Sequence, residues 1–176
     1  MIRDKKSLKE YLLEDWDFNA FTKKDYIKNF FWKGKLAYLR NLRKLEYHIN
    51  CHHKIRGAIR KLYHLALSKK LHLEFFPNNF GPGLRLEHPS CIIINPNVRV
   101  GGHCNIHQFV TIGNKGFDHD VPTIGDNCFI GANSVIIGNI SIGNNVVIGA
   151  GSVVTHSFGD NVVIAGNPAK IIKNKE

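Results

Sequence analysis

Residues 122–154 read PTIGDNCFIGANSVIIGNISIGNNVVIGAGSVV, and an aliphatic residue recurs at every sixth position of this stretch. The same frame begins earlier in the chain, and its members are Ile94, Val100, Ile106, Ile112, Ile124, Ile130, Ile136, Ile142, Ile148 and Val154. Asp118 is the only position of the frame that is not aliphatic. Glycine often follows the aliphatic residue, and a small residue often stands two positions before it.

This six-residue period decides the fold class. A helix repeats every 3.6 residues and a strand every two, so neither alone explains a period of six. A β-solenoid does, because each hexapeptide supplies one inward aliphatic residue, one small inward residue and a turn. If three hexapeptides make one triangular coil, residues 80–165 suffice for about five coils. The sequence therefore predicts a mainly β protein built around a parallel β-helix.

Residues 1–72 follow a helical pattern instead. Ser7–Glu10 fits a capping box, and Thr22 is placed to cap a second helix. Apolar residues at spacings of mostly three and four then predict two further helices, through Leu36, Leu39, Leu42 and Leu45, and through Ile55, Ile59, Leu62, Leu65 and Leu67. We therefore divide the chain into an α-helical N-terminal region, 1–72, and a β-helix domain with a C-terminal tail, 73–176.

The charge of the chain is concentrated in the helical region. Residues 1–72 hold 18 of the 24 Lys and Arg residues but only 7 of the 14 Asp and Glu residues. A solvated basic face is the simplest interpretation of this excess. Peripheral contact with an anionic membrane or an acidic glycan is the alternative, and we expect no nucleic-acid partner.

Targeting and cysteine patterns indicate a reducing compartment. No apolar segment follows the first residues as in a signal peptide, and no apolar run approaches the roughly 18 residues of a membrane span. The cysteines Cys51, Cys91, Cys104 and Cys128 show no C-x-x-C spacing, so we expect reduced thiols. These patterns predict a cytoplasmic protein, at the inner face of the membrane if the basic region makes contact there.

The order of motifs over about residues 73–173 resembles the hexapeptide-repeat acyltransferases, in the serine acetyltransferase-like branch. The resemblance is carried by Pro77-Asn78-Asn79-Phe80-Gly81-Pro82-Gly83-Leu84, Gln108-Phe109-Val110-Thr111-Ile112-Gly113 and Ala165-Gly166-Asn167-Pro168-Ala169-Lys170. It implies a left-handed β-helix, a homotrimer with active sites between neighbouring copies, and acetyl-coenzyme A as co-substrate. Left-handedness comes from the resemblance alone, because general crossover rules favour the right hand.

The resemblance assigns the catalytic base to His88. A hydroxyl is a poor nucleophile at neutral pH, and histidine has a pKa suited to accepting its proton. Such a base usually needs a carboxylate that orients the imidazole. Glu74 falls where the resembling enzymes place that carboxylate and is our choice. Glu87 is the other candidate, but neighbouring residues of an extended segment point to opposite faces, so it is expected to face the acceptor.

Further residues are implied for the acceptor and the coenzyme. Residues 114–122 preserve the six-residue spacing, but Asp118 stands where the repeat has an aliphatic residue. This predicts a loop that leaves the coil, and we expect His119 of the loop to contact the acceptor. The positions that match the family's coenzyme contacts are Gly113, Gly131, Ala132, Ala150 and Gly151. Lys170 suits a phosphate contact. Each glycine also has a purely structural interpretation as a turn residue.

A metal enzyme is the less favoured alternative. His103 and His107 lie four apart, whereas the zinc lyases with this fold need three ligands, two of them five apart, so we predict no metal. We predict an acetyl-coenzyme A-dependent O-acetyltransferase that acts on a sugar hydroxyl in surface-polysaccharide (capsule or O-antigen) biosynthesis. An L-serine O-acetyltransferase and a non-catalytic β-helix scaffold are the alternatives.

Overall fold

The computed structural model describes residues 1–32, 34–116 and 119–175, so Asp118 lies outside the described residues. Four helices come first: α1 (Lys5–Phe18), α2 (Lys23–Trp32), α3 (Lys35–Asn50) and α4 (Lys54–Leu71). The strands are β1 (Leu73–Glu74), β2 (Arg85–Leu86), β3 (Ile92–Ile94), β4 (Arg99–Val100), β5 (Asn105–Ile106), β6 (Thr111–Gly113), β7 (Thr123–Ile124), β8 (Phe129–Ile130), β9 (Val135–Ile137), β10 (Ser141–Ile142), β11 (Val147–Ile148), β12 (Val153–Val154), β13 (Val162–Gly166) and β14 (Ala169–Asn174).

The strands form three parallel sheets that the chain visits in rotation. Sheet A contains β1, β3, β6, β9 and β12, and sheet B contains β4, β7 and β10. Sheet C contains β2, β5, β8, β11 and β13, with β14 added antiparallel at its end. Single bridges from Phe80 to Val100 and from Ile142 to Phe158 extend sheet B at both ends. Each sheet therefore has five parallel levels, which confirms the prediction of about five coils.

The six-residue frame forms the core of these coils. In sheet A, Ile94 pairs with Ile112, Ile112 with Ile136 and Ile136 with Val154, and all four are fully buried. Burying one such side chain contributes about 1.5–3 kcal/mol, so stacking identical positions stabilises each added coil. Small residues of the repeat stabilise the turns between strands. For example, the buried Ser134 hydroxyl donates to the carbonyl of Gly131 at 2.7 Å.

Local capping decides where the first two helices begin. The capping box predicted at Ser7–Glu10 is wrong, because Asp4 is the N-cap of α1 and Ser7 stands at its third position. Asp4 Oδ1 accepts from Ser7 N at 2.7 Å, which satisfies one of the free amides of the first turn. The cap at Thr22 is confirmed, since Thr22 N donates to Asp25 at 2.8 Å and Asp25 N donates to Thr22 Oγ1 at 3.3 Å.

A buried ionic cluster attaches the helices to the first coil. Arg43 of α3 binds Asp15 of α1 (Nε–Oδ2, 2.7 Å) and Glu46 (Nη1–Oε2, 3.1 Å). It also donates to the carbonyls of Phe80 at 3.0 Å and Gly81 at 2.6 Å. These contacts fix the segment that precedes β2. Within the part of the chain that the structure describes, no helix is long and apolar enough to cross a membrane.

Candidate active site

One edge of the β-helix brings several of the predicted site residues together. It is the corner at which the chain passes from sheet C to sheet A, and we refer to it as the C–A edge. Successive coils are joined there by backbone bonds from Phe109 N to Ser90 O (3.0 Å), from Asn133 N to Gln108 O (3.1 Å) and from Gly151 N to Ala132 O (2.8 Å). Ser90, Gln108, Ala132 and Ala150 therefore occupy equivalent positions in coils one to four.

His88 lies at the first coil of this edge, in a bulge. The corner runs from Ile106 to Thr111 in coil two and from Ile130 to Val135 in coil three, but from Leu86 to Ile93 in coil one. The register makes Glu87 equivalent to His107 and Ser90 equivalent to Gln108, so the two extra residues are His88 and Pro89. The insertion displaces His88 outward and leaves it exposed. An exposed imidazole at this place is free to meet a substrate.

Glu87 is held within the chain beside His88. Its Oε1 is 2.6 Å from Arg85 Nε, and it accepts from Asn105 Nδ2 at 3.2 Å. Partial burial would raise the pKa of Glu87, but the bonds from Arg85 and Asn105 outweigh it and lower that pKa below its ordinary value. The charge of Lys35, whose Nζ donates to Leu86 O at 2.7 Å, acts in the same direction. Glu87 is therefore a carboxylate with fixed partners at neutral pH.

Glu74 lies near the same coil but makes no bond to His88 within the described chain. It is exposed at the end of β1, where it pairs with Ile93 in register. It lines a groove of about 740 Å³ between α4 and sheet A, together with Cys91, which belongs to the same corner as His88. Both the Glu74 carboxylate and the His88 imidazole are therefore reachable from outside the coil.

The predicted coenzyme residues of coils three and four line the C–A edge below His88. A side chain at Gly131 would meet Ala150 N at 2.6 Å, so only glycine allows the two coils to approach there. Gly151 has a φ of +71°, and a side chain there would meet nothing within 4 Å. Ala150 and Gly151 are exposed. At coils three and four the edge therefore presents only backbone and small side chains, and we refer to this surface, which includes Gly131, Ala150 and Gly151, as the track.

The other three predicted residues are placed differently. Lys170 of β14 is exposed and pairs with Ala165, whose Cβ would be 2.9 Å from a Cβ placed on Gly149. Lys170 therefore lies one level beyond the fourth coil, near the same edge. Gly113 ends β6 at the opposite end of the sheet A strand, where it accepts from Gly138 N at 3.2 Å. His119 is exposed in the loop that follows Gly113. Within one chain, Gly113 and His119 do not share the edge with His88.

Two residues of this region were not singled out from the sequence as site residues. Gln108 lies one level below the His88 bulge, and its Oε1 is buried without a hydrogen-bond partner. Asn105, which donates to Glu87, likewise has an unpartnered buried Oδ1. Buried oxygens without a partner are uncommon and costly. The only sequence signal for either residue was its place in the repeat, because the register that brings them under His88 is a property of the stacked coils.

The histidines considered as metal ligands have other partners. His103 Nε2 lies 2.9 Å from Glu14 Oε2, and its ring packs edge-on against Phe18. The ring of His107 packs against that of Phe129 at a tilt of 54°, with ring centroids 4.8 Å apart. Among the described residues, no group of three or more His, Cys, Asp or Glu side chains could hold a metal ion.

Comparison with known proteins assigns the family. A family model described as "Bacterial transferase hexapeptide (six repeats)" matches residues 122–156. The "Putative colanic acid biosynthesis acetyltransferase WcaB" of Escherichia coli K12 is 45% identical over 92 residues, which cover 52% of this chain and 57% of that protein. Serine acetyltransferase 3, mitochondrial, of Arabidopsis thaliana is 37% identical over 124 residues, which cover 69% of this chain and 32% of that protein.

A solved structure extends the match to the helices. The serine acetyltransferase of Neisseria gonorrhoeae superposes with a TM-score of 0.80 at 25% identity, over 98% of this chain and 68% of that one. The fold is therefore the left-handed β-helix of hexapeptide-repeat transferases, preceded by helices. The chain belongs to that family, in the branch that includes the serine acetyltransferases. The chain spans about a third of the length of the plant serine acetyltransferase and somewhat over half of the length of the colanic acid protein.

Proposed function

We propose that the protein is an acetyl-coenzyme A-dependent O-acetyltransferase that acts on a sugar hydroxyl in surface-polysaccharide biosynthesis. The observation that carries the proposal is the C–A edge, where a two-residue bulge presents His88 above a track of small residues. Coils are spaced by about 4.8 Å, so the edge from coil one to coil five measures about 19 Å. This length suits an extended pantetheine arm, with its thioester near His88 and its phosphates towards Lys170.

In the proposed reaction, His88 accepts the proton of the acceptor hydroxyl while that oxygen attacks the thioester carbon. The C–S bond then breaks, the acetyl group stays on the acceptor oxygen, and His88 returns its proton to the departing thiolate. Glu74 orients the imidazole, while Glu87 and His119 face the acceptor. The transfer is direct, without a covalent acyl-enzyme.

We also propose that a homotrimer completes the site. Gly113 is assigned to the coenzyme and His119 to the acceptor, yet neither shares the edge with His88 in a single chain. A neighbouring copy would bring these residues against the C–A edge, as the family resemblance implies. The division into a helical region, 1–72, and a β-helix domain, 73–176, is part of the same proposal.

The acceptor is tested by thiol release from acetyl-coenzyme A. A sugar acceptor is supported by the higher local identity to the colanic acid protein than to the plant serine acetyltransferase. L-Serine is the second candidate, because structural similarity to a serine acetyltransferase covers nearly the whole chain. We expect release with a panel of glycans and nucleotide sugars and none with L-serine. Release with L-serine alone would replace the sugar proposal by the serine one.

A substitution on the edge separates an enzyme from a scaffold. Ala150→Trp is expected to weaken binding of acetyl-coenzyme A by at least about tenfold, because a large side chain would fill the track that close approach requires. Isothermal titration gives the dissociation constants. Thr123→Trp is the matched control, since Thr123 is equally exposed but lies on sheet B. Absence of binding by the unmodified protein would favour a non-catalytic scaffold.

A further inference from the structure

Helix α4 carries a row of aliphatic side chains on its outer face. Ile55, Ile59, Leu62 and Leu65 are 78%, 62%, 69% and 48% exposed. Their spacings of four, three and three place them on one side of the helix. The opposite side, with Gly57, His64 and Leu67, is buried against the rest of the chain. Most of the apolar residues whose spacing predicts this helix therefore lie on a face that no other part of the described chain covers.

Cations flank this row, and acidic residues are absent from the helix. The 18 residues of α4 include Lys54, Arg56, Arg60, Lys61, Lys69 and Lys70 but no Asp or Glu. At 100° per residue, Lys54 and Lys61 lie along one side of the aliphatic row and Arg56 and Lys70 along the other. An apolar strip between two cationic borders is the pattern of a helix that lies in a membrane interface.

We propose that α4 is a membrane-docking helix whose aliphatic row enters an anionic lipid surface while the flanking cations bind the headgroups. Charge complementarity identifies the occupant. A second copy of the same helix would bring two cationic borders together without a single carboxylate on either, whereas anionic lipids neutralise them. The inference concerns the outer face of α4 and holds whether or not the proposed sugar acetylation is correct.

Docking through α4 also orients the candidate site. Lys61, Leu65 and Lys69 line the groove of about 740 Å³ that continues to Glu74 on sheet A and to Cys91 at the C–A edge. A protein resting on α4 would therefore open this groove at the lipid surface. An acceptor carried by a lipid would reach the first coil from that side, where His88 stands.

Vesicle flotation tests the proposal with the full chain. We expect binding to phosphatidylcholine vesicles that contain phosphatidylglycerol, at least about tenfold weaker binding to phosphatidylcholine alone, and release by added salt. Ile59→Glu/Leu62→Glu should abolish binding, and Lys54→Gln/Arg56→Gln, one cation from each border and neither in the groove, should remove most of the preference for anionic vesicles. Ile172→Glu is the matched control, because Ile172 is 63% exposed but lies on β14.

Circular dichroism and thiol release are measured on every variant to show that the fold and site persist. Equal flotation of the wild type and Ile59→Glu/Leu62→Glu would overturn the proposal. So would failure of the wild type to float with anionic vesicles. If the wild type does not float and the double variant has a smaller mass in solution, the row is an interface between copies of this chain instead.

Discussion

Replacement of His88 by alanine is expected to reduce thiol release from acetyl-coenzyme A by about 10²–10⁴-fold, the usual contribution of a general base. The loss should fall on kcat, because His88 acts on the proton that moves in the transition state and the track that holds the coenzyme is intact. Binding of acetyl-coenzyme A measured by titration should therefore change little. The acceptor used is the one that the panel of sugars and L-serine identifies.

The position of His88 allows the effect of His88→Ala on catalysis to be separated from any effect on folding. His88 is exposed in a bulge and makes no hydrogen bond or ion pair with the described chain, so its removal should leave the free energy of unfolding within about 0.5 kcal/mol of the wild type. His156→Ala is the matched control, since His156 is also exposed but lies in the fifth coil, bonded to Thr155 at 3.0 Å. Full activity of a folded His88→Ala protein would exclude this histidine as the base.

The sequence predicted the β-helix well because its core repeats. From the second coil to the fifth, each coil buries an aliphatic residue of one frame, so the periodicity of the side chains reflects the stacking directly, as in the column from Ile94 to Val154. The C–A edge is less visible in the sequence. The sequence shows a shift of two residues between Leu86 and Ile94, but the register of neighbouring coils is needed to identify the two extra residues as His88 and Pro89.

In the helical region, the sequence pattern predicts the helices but not the contacts that their side chains make. An apolar row at helical spacing predicts a helix, but it does not say what covers the row, and on α4 the described chain leaves most of it exposed. Arg43 illustrates the converse. The sequence suggests that Arg43, one of two arginines in α3 and next to Lys44, is a solvated charge. Its side chain is instead completely buried, because Asp15, Glu46 and two carbonyls of the first coil surround it. Such partners are separated by up to 38 residues and have no common spacing.

The Arg43 cluster should be the most sensitive point for stability. Arg43→Met is expected to lower the free energy of unfolding by about 3–5 kcal/mol, because it leaves buried carboxylates without their counter-charge. Asp15 would keep its bond from Leu84 N at 2.9 Å, and Glu46 its bond from Asn78 N at 2.9 Å. Neither bond supplies a positive charge. Arg56→Met, at an exposed position of α4, is the matched control and should change stability by less than about 0.5 kcal/mol.

The pH dependence of this effect distinguishes lost charge from lost packing. Burial raises the pKa of Glu46, and Arg43 opposes that rise. Without Arg43 the folded-state pKa of Glu46 should climb further above its unfolded value of 4.5, so folding binds a proton in the pH range above 4.5. Stability is then lost as pH rises through that range, and urea unfolding should give a larger deficit for Arg43→Met at neutral pH than near pH 5. A deficit that is the same at both pH values would mean that Arg43 stabilises the joint between helices and first coil by packing alone.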